Sequence, residues 1–153
     1  MHIAPPASVT AISHWAFEEC ISLKDVHLTE GLETIAEEAF KGCKSLFRVT
    51  VPCTVVSVGW QAFADCISLT EVHLSDGLVV VIGIEAFAGC ISLTEVHLPD
   101  GLETISDGAF EGCKSLLRIA VPSTAAAVGV QAFAGCISMK EAELCEGLQT
   151  IGK

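Results

Sequence analysis

The sequence predicts an α/β solenoid, with parallel strands on a concave face and short helical turns on the other side, wound as one stack of near-identical coils. Three observations carry that prediction. The dipeptide Ala-Phe recurs with its second residue at Phe17, Phe40, Phe63, Phe87, Phe110 and Phe133, a spacing that is constant but for one extra position between Phe63 and Phe87. A fixed period of roughly 23 residues marks a repeat architecture. Three positions after each phenylalanine stands a cysteine, at Cys20, Cys43, Cys66, Cys90, Cys113 and Cys136. Each cysteine is followed by an apolar segment ending in alternation, as in Leu23, Val26 and Leu28, which suits a short half-buried strand.

Each element of the unit has a physical reason. A unit of this length makes one strand and one short turn but cannot bury both alone, so successive units must stack. In L-x-x-V-x-L the Val and the last Leu point inward, and strands of neighbouring coils pair in parallel. The A-F-x-x-C segment, with Ile or Val four positions before its Ala, fits a turn or two of helix packed behind the strands. Gly, or Pro-x-Thr, then turns the chain. Ile3–Phe17 aligns with Ile119–Phe133, and Gly147–Ile151 with Gly101–Ile105. Residues 1–153 therefore read as a single repeat domain, with six full turns, one of them a position longer than the others, and a partial turn at each end.

The turns are of two kinds. Those with Phe17, Phe63, Phe87 and Phe133 read C-I-S, whereas those with Phe40 and Phe110 read C-K-S with Pro-x-Thr after the strand. The kinds alternate except between Phe63 and Phe87, where two of the first kind meet and the extra residue lies in the run Val79–Ile82. This seam is the irregular place in the array.

The unit A-F-x-x-C-x-S-L-x-x-V-x-L, recurring six times over Ile3–Ile151, resembles the leucine-rich repeats of the BspA-like type. That resemblance implies a parallel-stranded arc used as an adhesive or protein-binding surface. It carries over no catalytic residue.

Composition narrows the function. The chain has 153 residues, 51% of them hydrophobic and 18% charged, which supports a folded core and excludes disorder. A net charge of −11, without any basic stripe, argues against nucleic acid or an anionic lipid surface as partner. No run approaches the ~20 apolar residues of a spanning helix, so no membrane insertion is expected. Met1 to Phe17 has no basic segment followed by an apolar one. Six of the eight cysteines occupy one place per turn with no C-x-x-C pair, which reads as a buried column of reduced thiols and fits a reducing compartment. Cys53 and Cys145 stand outside it and are expected to be the reactive ones. The closing G-x-x-x-x-G-K, Gly147 to Lys153, imitates a phosphate-binding loop but is an ordinary repeat element.

Outward positions on either side of the strand Val form two ladders. The first is Asp25, Arg48, Glu71, Glu95, Arg118, Glu141; the second is His27, Thr50, His73, His97, Ala120, Glu143. Each Arg stands between two carboxylates, so the first ladder reads as cross-strand ion pairs. At the seam Glu71 faces Glu95 and His73 faces His97, and charge compensation is expected to fail there. The two carboxylates would then receive a basic residue of a partner; a divalent cation on this quartet is the weaker alternative. Phe47 and Leu117 are apolar where their ladder is otherwise polar, and are candidate anchors.

The sequence thus points to a non-enzymatic protein-interaction or ligand-binding module with a protein partner. Its partner-binding residues are Arg48, Glu71, His73, Glu95, His97, Arg118, Phe47 and Leu117. It assigns no catalytic residue, no metal ligand and no cofactor. The alternative is a structural fragment or assembly subunit that self-associates end to end through uncapped solenoid ends.

Overall fold

The computed structural model of the chain describes residues 2–77 and 81–152. In chain order the strands are β1 (His2–Ile3), β2 (Ala11–Ile12), β3 (Asp25–His27), β4 (Thr34–Ile35), β5 (Arg48–Val51), β6 (Ser57–Val58), β7 (Glu71–Leu74), β8 (Val81–Ile82), β9 (Glu95–His97), β10 (Thr104–Ile105), β11 (Arg118–Ala120), β12 (Ala127–Val128), β13 (Glu141–Glu143) and β14 (Thr150–Ile151). Odd and even strands belong to different layers. The odd strands make the front layer, called the front sheet here, paired from β1 to β9 and again between β11 and β13; the even strands make a continuous seven-stranded back sheet, and every pairing is parallel. The molecule is a parallel β-solenoid.

The expected helical turns are absent: the described residues contain no helix. The backbone gives the reason. The residue before each Ala-Phe is left-handed, with Trp15, Glu38, Gln61, Glu85 and Gln131 at φ between 49° and 57° and Gly108 at 61°. The second residue after each phenylalanine is left-handed again, at Glu19, Gly42, Asp65, Gly89, Gly112 and Gly135. Two such residues four apart break a right-handed helical path. Hydrogen bonds of turn type within the coil, such as Cys43 N–H to the Phe40 carbonyl at 3.2 Å, therefore alternate with bonds between coils. The Phe40 N–H donates to the Ala62 carbonyl, Phe63 to Ala86 and Phe87 to Ala109, each at 2.8 Å.

The core follows from that stacking. The six phenylalanine rings form one pile with centroid separations of 5.1 to 5.7 Å. Phe40, Phe63, Phe87 and Phe110 are fully buried. Beside them the cysteines are free thiols, and they do more than fill space. From Cys43 to Cys136 each Sγ–H of the column donates to the carbonyl of the phenylalanine one coil back: Cys66 to Phe40 and Cys90 to Phe63 at 3.2 Å, Cys113 to Phe87 at 3.3 Å. A thiol is a small apolar group with a weak donor, and both properties are used here.

The extra residue at the seam is confined to the link between β7 and β8. Arg48 pairs with Glu71 at the ordinary interval, whereas Ser57 pairs with Val81 and Glu71 with Glu95, each one position further along the chain than that interval. Val79 and Val80 of the inserted run lie outside the described residues. The closing Thr150–Ile151, inside the loop-like motif, is strand β14.

A candidate interaction surface on the front sheet

The front sheet presents a regular outer face because the period fixes its register. Val26, Val49, Val72, Val96 and Ile119 point inward and are buried. Flanking residues point out, and the pairings are Asp25 with Arg48, Arg48 with Glu71, Glu71 with Glu95, and Arg118 with Glu141. All six residues of the first ladder stand where the repeat places them.

Their ion pairing differs from the expectation. Arg48 Nε meets Glu71 Oε2 at 3.0 Å, and an Arg118 guanidinium nitrogen meets Glu95 Oε1 at 3.9 Å. Each seam carboxylate is therefore compensated by its outer arginine, although the two carboxylates do face each other. Asp25 turns to His2 at 3.1 Å instead of Arg48. The central row thus reads plus, minus, minus, plus along Arg48, Glu71, Glu95 and Arg118. All four side chains are largely exposed, so each pair contributes at most about 1 kcal/mol. The row is weakly held.

On one side of this row the His73 and His97 rings stack with centroids 4.9 Å apart and planes 19° from parallel. On the other stand Phe47 and Leu117, 45% and 43% exposed. Phe47 lies beneath the Arg48 guanidinium at 5.9 Å. Between them the Thr70 hydroxyl donates to the Phe47 carbonyl at 2.9 Å and the Thr94 hydroxyl to the Thr70 carbonyl at 3.0 Å. These bonds hold the three coils together at the start of the strands.

One break in the strand pairing of this layer was not legible in the sequence. Among the described residues strand pairing runs from β1 to β9 and resumes between β11 and β13, with none between β9 and β11. Glu95, His97, Arg118, Ala120, Glu141 and Glu143 line a depression of about 280 Å³ at that place.

Other groups are arranged less for chemistry than for packing. Burial pushes the Cys43 thiol up to about 12, and Cys66, Cys90 and Cys113 are raised for the same reason. Cys53, expected to be reactive, donates to Glu30 at 3.3 Å, and that carboxylate raises the thiol too. Its thiolate fraction is lowered, contrary to the expectation. Among the described residues no group of three or more His, Cys, Asp or Glu side chains is arranged to hold a metal ion, and no helix is long and apolar enough to cross a membrane.

A coiled parallel stack with a phenylalanine pile, a cysteine column and one fixed period defines a class of repeat protein. The chain belongs to the BspA-type leucine-rich repeat family, whose description matches residues 1–81 and 68–153 in six copies. Among solved structures it is similar to a leucine-rich repeat protein from Bacteroides ovatus, at 34% identity and a TM-score of 0.87 over 97% of this chain and 38% of that one. It is similar also to a leucine-rich cell surface protein from Faecalibacterium prausnitzii, at 30% identity and a TM-score of 0.74, covering 93% of this chain and 47% of that one. A leucine-rich repeat protein of T. pallidum matches at 26% identity and a TM-score of 0.69 over 95% of this chain and 75% of that one. The chain thus spans less than half the length of the first two. No curated protein matches it significantly.

Proposed function

We propose that this chain is a non-enzymatic protein-binding module whose front sheet holds the partner through Arg48, Glu71, His73, Glu95, His97 and Arg118, with Phe47 and Leu117 as apolar anchors at the edge. The observation that carries this reading is the ordered charge row, plus, minus, minus, plus, laid on an exposed sheet face. Exposed ion pairs add little to folding, whereas arranged charge on a surface gives partner choice and speed of encounter. The partly exposed Phe47 and Leu117 add the apolar component that binding sites concentrate. The similarity to a cell surface protein supports a role in contact with other proteins, and we extend that surface setting to this chain on the same footing.

The test is affinity capture from an extract and a surface-protein fraction of the source organism. A Glu71→Lys/Glu95→Lys variant is compared with a back-sheet variant, Thr104→Lys/Ala127→Lys, with folding of both checked by circular dichroism. Loss of the captured protein in the front variant alone is expected. Equal capture by the front variant and the unaltered chain would contradict the assignment.

A further inference from the structure

We infer that the occupant of the front face is an α-helix of another protein, lying across the strands and carrying an acidic, a basic, a second basic and an acidic residue on one side. This rests on the front-face reading above and adds the shape and charge of the partner.

The charge order comes from complementarity. Arg48 and Arg118 each call for a carboxylate, and Glu71 and Glu95 between them each call for a cation. The two ion pairs already present in the row are surface contacts, with Arg118 and Glu95 at 3.9 Å, so exchange for a partner's charges costs little. A second copy of this chain is a poor occupant in the two arrangements that cover the whole row from Arg48 to Arg118. A two-fold axis along the strands through the seam brings Arg48 onto Arg118 of the other copy and Glu71 onto Glu95, and an axis along the stack brings each residue of the row onto itself. Both place like charges together, which disfavours the pairing.

The shape comes from spacing. Successive ladder residues are one strand apart, so the four charges repeat at about 4.8 Å and span about 14 Å. A helix presents one residue to a given side every turn, about 5.4 Å, and four such residues span about 16 Å. An extended chain presents the same side only every ~6.6 Å, and falls out of step by the third residue. The helix matches to about 2 Å over the whole row, a mismatch that flexible Glu, Lys and Arg side chains absorb. Arrangement across the sheet also fits. Phe47 and Leu117 flank one side of the row beside the two arginines, and the stacked His73 and His97 rings flank the other beside the two glutamates. Ala120 and the depression around it leave room at the Arg118 end.

The probe is a lactam-stapled helix of pattern Glu-x-x-x-Lys-x-x-Lys-x-x-x-Glu, with one leucine on the flank beside each glutamate, titrated at low salt while backbone amide shifts of the isotopically labelled chain are followed. Saturable shifts in β5, β7, β9 and β11 are expected. Binding should be about tenfold weaker or worse for the charge-swapped helix, Lys-x-x-x-Glu-x-x-Glu-x-x-x-Lys, and for a proline-broken peptide of the first pattern. Equal binding of either control, shifts confined to the back sheet, or no shift at all overturns the inference. The capture experiment separates the two failures. A partner lost by the front variant but not displaced by the stapled helix refutes the helix alone, whereas a partner retained by the front variant refutes the front face.

Discussion

At the residue scale, the cysteine column shows how one side chain serves two needs. The Phe63 carbonyl accepts the Cys66 N–H of its own coil at 3.4 Å and the Cys90 Sγ–H of the next at 3.2 Å. A serine would offer a stronger donor with more desolvation to overcome, and an alanine no donor. The thiols also set an alkaline limit. Folded-state values lie above the ordinary thiol range near 9.0 because of burial, to about 12 for Cys43. Below that ordinary range folded and unfolded chains hold the same thiol protons. As pH rises past it, the unfolded chain releases protons that the folded column keeps, so stability falls towards the folded values. The urea midpoint should therefore drop between pH 9 and about 12, and less steeply in a Cys43→Ala/Cys66→Ala variant. The chain has no tyrosine, so lysines are the other side chains that titrate in that window. Identical slopes for the two proteins would contradict the assignment.

At the element scale, the front strands were legible in the sequence and the rest of each coil was not. The period brings Glu71 opposite Glu95 and His73 opposite His97 without further information, and the pairing agrees. The direction of the ion pairs was not legible, because each arginine has a carboxylate on both sides and only packing chooses between them. The back strands are two residues long, too short for alternation to show. The helical reading failed for a similar reason. Glu38, Gln61, Glu85 and Gln131 are left-handed residues with no sequence mark of it, although Gly42, Gly89, Gly112 and Gly135 after the phenylalanines offered one. Close stacking of the back layer also predicts a sensitive position. A Cβ on Gly83 would stand 2.6 Å from the Val58 carbonyl oxygen and 2.8 Å from the Gly59 carbonyl carbon. Those atoms are backbone and cannot swing away. Gly83→Ala should cost about 1–3 kcal/mol as an overpacked site, read as a lower denaturant midpoint. An unchanged midpoint would mean that the coils pack loosely at the seam.

At the scale of the whole molecule, each coil touches only its neighbours, so stability should depend on position along the stack. Phe87 is fully buried between Phe63 and Phe110, at 5.3 and 5.4 Å, whereas Phe133 has a stacked ring on one side alone among the described residues. Phe87→Ala should cost about 3–5 kcal/mol and Phe133→Ala distinctly less, as measured by thermal or urea unfolding. Equal midpoints would argue against nearest-neighbour stacking. The same geometry bears on the proposed use of the front face. Stacked coils present rows of side chains, and along the row from Arg48 to Arg118 charge stands beside the exposed Phe47 and Leu117.

The most direct test of that assignment is amide hydrogen exchange, read by mass spectrometry, of the chain alone and with its captured partner. The account predicts slowed exchange in β5, β7, β9 and β11 and in the segments leading into them at Phe47 and Leu117, with β4, β6, β10 and β12 unchanged. Protection confined to those back strands, or spread evenly over both sheets, would contradict it.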